Sequence, residues 1–177
     1  FWVKYDNSTF LTTAGHCAEN ATRTPDGIVR VYYLPWSLNP TSYLIGEMGI
    51  YEYHEVDRGF ISIDDNSTLV VPSIRNSDDA FYPQLHIIGT VDIDTEGSNI
   101  CIAGVIDTDI VTRGGDSGGP AFQLRKGVPP YVYLAGMLIS GDNDSTIIEP
   151  LSMILSDGVM PVTFNPDLLD LDARPRG

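Results

Sequence analysis

The 177 residues carry 42% hydrophobic and 19% charged side chains, proportions that suit one globular domain able to bury a core without a framework of disulfides. Twenty-four acidic residues against ten basic ones give a formal charge of −14, which argues against polyanion partners because phosphate backbones are held by arginine and lysine. No apolar run approaches the roughly 18 to 20 residues of a spanning helix, so membrane insertion by a helix is not supported.

Along the chain, short runs rich in Val, Ile, Tyr, Phe and Thr alternate with Gly, Pro, Asn and Asp. That rhythm predicts strands joined by turns, in a sandwich or in barrels. The stretch STFLTTAG reads as a strand running into His16. Further strands are expected over 28–34, 60–63, 68–71, 85–90, 100–106 and 131–139. Segment 73–83, SIRNSDDAFYP, is polar and turn-rich and divides two β-rich halves, about 1–72 and about 84–164, of a single domain. Helical character is confined to 151–155, behind Pro150, and Ser156-Asp157-Gly158 ends it. The last residues, 165–177, read as an acidic and then basic tail lying loosely on the surface or disordered.

The sequence opens at Phe1 without an initiator methionine or a signal sequence, as expected of a processed or partial chain, so its start says nothing about destination. Asn7, Asn20, Asn66 and Asn143 stand in Asn-x-Ser/Thr sequons, half of the eight asparagines present. Sequons at that density point to a secreted glycoprotein with these sites on surface loops. Two cysteines, Cys17 and Cys101, are compatible with one disulfide without specifying it.

Acyl transfer by serine needs a nucleophile, a base, a carboxylate to orient the base, and donors for the developing oxyanion. TTAGHCA supplies His16, with the small Ala14-Gly15 pair letting the backbone approach its neighbours. HEVDRGFISID supplies Asp57 just ahead of a strand, and Asp64, Asp65, Asp78 and Asp79 are the solvated acids that compete with it. RGGDSGGPAF supplies Ser117 between two glycine pairs, Gly114-Gly115 and Gly118-Gly119. Such a loop can turn backbone N–H groups toward one point beside the serine oxygen.

On TAGHC and GDSGGP, in the order His, Asp, Ser, the chain resembles the chymotrypsin-like serine peptidases. DRGFISI and LISGDNDSTIIEPLSMILSDGV are similar to segments of the streptogrisin and α-lytic protease branch, bacterial and fungal. The resemblance implies an all-β fold of two packed six-stranded barrels with a short C-terminal helix. It also implies Ser117 as nucleophile, His16 as general base and then acid, Asp57 as orienting carboxylate, and the N–H groups of Gly115 and Ser117 as oxyanion hole. Ser140, Gly141 and Asp142 match the strand that pairs with substrate, although the family usually has glycine where Asp142 stands. Val111, Thr146 and Ile148 match the walls of the primary pocket; none is acidic, so an apolar P1 side chain is expected.

The chain also departs from the family. Only fifteen residues precede His16, which puts the implied disulfide partner of Cys17 just before Phe1. The interval from Asp57 to Ser117 is short, leaving open whether the second barrel is complete, and Cys101 lacks an evident partner unless it bridges to Cys17. No new N-terminus is available to pair with Asp116, so the resemblance points to an arginine, Arg113 or Arg75, in that role.

Other residues read more plainly. His54 and His86 have no ligand spacing with the cysteines, which argues against a zinc site. DIDTEGSNICIA from Asp92 opens like a calcium loop, but Ala103 holds the twelfth position where a bidentate Glu belongs. No cofactor is expected. The expectation is thus a secreted, monomeric serine endopeptidase acting on polypeptides. Its rivals are an inactive pseudopeptidase serving as a binding module, favoured by the short chain and Asp142, and an ester-specific acyl hydrolase with the same machinery.

Overall fold

The computed structural model describes residues 1–19, 21–33, 41–63, 68–76, 79–93, 99–103, 116–141 and 145–166. In chain order its strands are β1 (Trp2–Tyr5), β2 (Ser8–Thr13), β3 (Val29–Tyr33), β4 (Tyr43–Glu52), β5 (Arg58–Ser62) and β6 (Ser73–Arg75). There follow β7 (Gln84–Thr90), β8 (Cys101–Ile102), β9 (Pro120–Leu124), β10 (Tyr131–Gly141) and β11 (Thr146–Pro150), then a one-turn helix α1 (Leu151–Ile154) and β12 (Met160–Pro161). A 3-10 turn, Gly15–Ala18, lies between β2 and β3.

Two sheets form. The first is antiparallel, in the order β12-β1-β2-β5-β4-β3. The second runs β6-β7-β10-β9-β8, with β11 also paired to β10. The β1–β2 hairpin turns on Asp6 and Asn7, both at positive φ (47° and 63°), where short polar side chains are tolerated better than branched ones. β10 takes ladder partners from β7, β9 and β11. It is covered on both faces, which is why its apolar run does not alternate with polar residues: Leu134, Ala135, Met137 and Leu138 are all at most 1% exposed. Complete burial of a side chain the size of Leu134 or Met137 contributes about 1.5–3 kcal/mol.

The larger hydrophobic cluster draws on both sheets and the helix, joining Val3 and Phe60 to Ile87, Val132, Leu134 and Met137 and to Leu151 and Ile154. A smaller one, Ala18, Val29, Met48 and Ile61, lies within the first sheet and beneath the 3-10 turn. The two sheets are therefore locked against each other by shared core, and residues at their seam are held from both sides.

Several expected elements move. The strand expected over 68–71 is absent: Leu69 is 79% exposed, and the ladder begins only after Pro72, at β6. A prolyl nitrogen has no hydrogen to give a ladder. β6 thus falls inside the turn-rich segment 73–83, and β12, late in the chain, returns to the first sheet. β4 has no counterpart among the expected strands. The helix is one turn, begun after Pro150 and ended by Asp157 and Gly158 at φ 61° and 85°. Of the strand expected over 100–106, β8 is described and 104–106 lie outside the described residues.

Candidate active site

The seam is built from three chain segments. β2 ends at Thr13, and the 3-10 turn begins with Gly15, where a Cβ would collide with the carbonyl oxygens of Glu52 and Arg58, the latter at 2.6 Å. Only a residue without a side chain lets this turn sit against the ends of β4 and β5. His16 is thereby set beside Asp57, at the head of β5. The backbone N–H of His16 donates to Asp57 Oδ1 at 2.8 Å, and His16 Nδ1 lies 2.5 Å from Asp57 Oδ2. A carboxylate accepting at Nδ1 holds the proton there and leaves the Nε2 lone pair free.

That lone pair faces the third segment. Ser117 Oγ stands 3.1 Å from His16 Nε2, and its hydroxyl also has the carbonyl of Ile139 at 3.3 Å. The loop carrying Ser117 is fastened to β10 by a reciprocal pair of bonds: Gly118 N–H to Leu138 O and Leu138 N–H to Gly119 O, each 2.8 Å. Gly118 has φ +92° and packs directly on Thr13, so the serine turn rests on the strand that leads to the histidine. Asp57 is shielded, its side chain 15% exposed, while His16 is 37% exposed and open to a substrate. The three groups can relay a proton from a hydroxyl to an imidazole whose resulting charge a carboxylate compensates.

Ser140 and Gly141 form the exposed end of β10, paired on one side with Ile147 and Thr146 of β11. Thr146 and Ile148 are half-buried on the same face of β11. Gly115, Val111 and Asp142 lie outside the described residues, as do the sequons at Asn20, Asn66 and Asn143 and the arginine Arg113. Asn7 is exposed at its hairpin tip, and Arg75 is exposed at the end of β6. Asp116 is buried, 8% exposed, next to the nucleophile. Cys17 and Cys101 are both free thiols and are not joined to each other. Burial pushes the Cys17 thiol up from its ordinary value; the Thr13 hydroxyl opposes that shift and the Asp57 charge adds to it. The upward shift disfavours the thiolate and makes this sulfur a poorer nucleophile.

Two residues that the motifs do not single out frame Asp57. Glu149 of β11, 8% exposed, has Oε2 3.4 Å from the Asp57 backbone N–H. Arg58 donates from Nη1 to the carbonyls of Met153 (3.3 Å) and Ile154 (3.1 Å) and to Ser156 Oγ (2.6 Å), and from Nη2 to Asp157 Oδ2 at 2.9 Å. It neutralises the C-terminal end of α1 and so ties the helix to the head of β5. The only sequence signal for Glu149 is a lone carboxylate in the apolar run TIIEP.

No protein-family model matches this chain, and no curated protein matches it in sequence. Among solved structures it is similar to a protein described as a glutamic acid specific serine protease that utilizes a novel histidine triad in substrate binding. The TM-score is 0.54 at 16% identity, over 92% of this chain and 91% of that one. The architecture is therefore the chymotrypsin-like two-barrel fold, mostly β, with one short α-helix among the described residues.

Proposed function

We propose that this chain is a secreted serine endopeptidase that cleaves polypeptides through an acyl-enzyme, after apolar residues. The observation that carries the reading is the unbroken contact series from Asp57 Oδ2 through His16 to Ser117 Oγ, at 2.5 and 3.1 Å. Ser117 Oγ attacks the scissile carbonyl carbon while its proton passes to His16 Nε2. The carbonyl electron pair moves onto oxygen, facing the Ser117 N–H and, by resemblance, that of Gly115. Collapse of this intermediate expels the amine, which takes the proton from His16, and water repeats the sequence to free the acid. An extended substrate adds as a strand along Ser140 and Gly141.

The similar solved protein is described as binding substrate through three histidines, and this chain has only three in all. His16 is engaged with Asp57, His54 packs on Tyr53 at 4.6 Å between ring centres, and His86 lies against Phe164 at 4.5 Å. No trio remains for a substrate carboxylate, and Thr146 and Ile148 offer no charge. This favours apolar over acidic P1 side chains. Assignment to the streptogrisin-like branch rests on the segments around Asp57 and β11 alone, and secretion rests on the sequons, of which Asn7 is accessible. The enzyme acts as a monomer in this reading.

A fluorophosphonate probe tests the proposal. Labelling at Ser117, followed by cleavage of a peptide library after apolar residues, is the expected result. A native chain that never labels would turn the reading to a binding module, and labelling with ester but no peptide turnover would turn it to an esterase.

A further inference from the structure

We propose that Glu149 is a second, buried carboxylate of the proton relay, a positioning residue acting through Asp57. The inference deepens the peptidase reading and rests on it. Three observations converge. Glu149 is one of very few buried polar side chains among the described residues, with Thr12 and Asp116. Its Oε2 accepts from the backbone N–H of Asp57, bridging the second sheet to the orienting residue carried by the first. Its own strand is fixed closely: it stands opposite Met137, which is fully buried, and its carbonyl lies 2.5 Å from where a Cβ on Gly136 would be.

Desolvating a carboxylate is unfavourable unless its surroundings compensate, so a glutamate kept at this point is poorly explained by packing. A neutral residue would fill the same volume. What the carboxylate adds is a negative charge at the backbone of Asp57. The charged groups connected to it are Asp57 and Arg58 at the head of β5, His16 on the 3-10 turn, and Glu52 and Asp157, both paired with Arg58. The Arg58 guanidinium is committed to Asp157, Glu52 and the end of α1, and among the described residues makes no bond to Asp57 or Glu149. Their joint charge favours the imidazolium that forms when Ser117 loses its proton, and the amide bond fixes the angle at which Asp57 meets Nδ1.

The test compares Glu149→Gln, which keeps an acceptor for the amide and removes charge, with Glu149→Asp, which keeps charge and withdraws it by one methylene. In the native chain kcat/KM falls on the acid side as the base becomes protonated. Removing a nearby negative charge makes protonation harder, so the acid limb of Glu149→Gln moves to lower pH by about half a unit, with KM little changed. Glu149→Asp keeps the native limb but lowers plateau kcat by about threefold to tenfold through looser positioning. An acid limb for Glu149→Gln that superimposes on the native one overturns the inference; if that variant does not fold, a native plateau kcat in Glu149→Asp overturns it. A purely structural role would change thermal stability and leave the limb in place. These results are separable from failure of the peptidase reading, because a native chain that neither labels with fluorophosphonate nor cleaves peptides fails before any variant is made, and the inference falls with it.

Discussion

Thr13 and Gly118 are in direct contact at the seam, so closely that a Cβ on Gly118 would lie 2.8 Å from Thr13 Oγ1 and 3.0 Å from Thr13 Cα. The strand that presents the imidazole and the turn that presents the hydroxyl are thus spaced by the absence of a side chain. Their separation is set by backbone, with no long side chain to relax.

Gly118→Ala tests that spacing. At φ +92° an alanine is strained by about 1–3 kcal/mol even before it meets Thr13. We expect a fall in unfolding free energy of about 2 kcal/mol or more and a drop in kcat/KM of about 100-fold, since small misplacements at a reacting centre are costly. Urea titration and steady-state kinetics on one preparation check both; native kinetics in a folded variant would refute the role of the contact.

Replacing the relay residues should separate their roles. Ser117→Ala is expected to lose turnover by about four orders of magnitude or more while its melting temperature stays near that of the parent. Asp57→Asn should fall by about 10⁴ in kcat, because an amide no longer fixes the proton on Nδ1. Unchanged peptide cleavage by either variant, measured after active-site titration, contradicts the mechanism.

Arg58 predicts both stability and its pH dependence. Its side chain is 14% exposed and serves two carbonyls, a hydroxyl and two carboxylates, so Arg58→Ala should cost about 2–4 kcal/mol. Lysine should recover little, since its ammonium cannot reproduce the fork. The hydrogen bond from Arg58, and then that from Ser156, hold Asp157 below the usual carboxylate range. A depressed folded-state value means the contribution is present above the unfolded carboxylate range, near pH 4, and is lost as pH falls through the folded one. Asp157→Asn should therefore differ from the parent at pH 6 and converge with it toward pH 2, in denaturation curves taken across that range.

Cys17 should alkylate more slowly at neutral pH than an ordinary thiol: the residue as a whole is exposed, but partial desolvation of its sulfur, and then the Asp57 charge, push the thiol up. Iodoacetamide labelling followed by mass spectrometry should show modification rising steeply only in the alkaline range. Rapid modification at pH 7 would contradict the assigned environment.

His16, Asp57 and Ser117 stood out as candidates from local patterns, small residues before the histidine, a strand after the aspartate and glycines around the serine, but that they act together was implied by the resemblance of TAGHC and GDSGGP to a known family. β10 was legible too, as a long apolar run. β4 was not, since Gly46 and Gly49 interrupt its alternation and its pairing with β5 shifts register between Met48 and Ile50. The run 68–71 misled for the opposite reason: its apolar residues satisfy a strand pattern, yet Leu69 and Val70 point to solvent. Glu149 and Arg58 were illegible because their meaning lies in partners far along the chain. Spacing says nothing about an amide ninety-two positions away.

β12 pairs with β1 through Val3 and Pro161, and Val162 N–H donates to Trp2 O. β12 follows every other described strand in the chain, so this edge of the first sheet stays open until all of β1 to β11 has been made. In the proposed peptidase reading, such a chain reaches working order only once β12 has docked, after the earlier segments it could cut have been drawn into place.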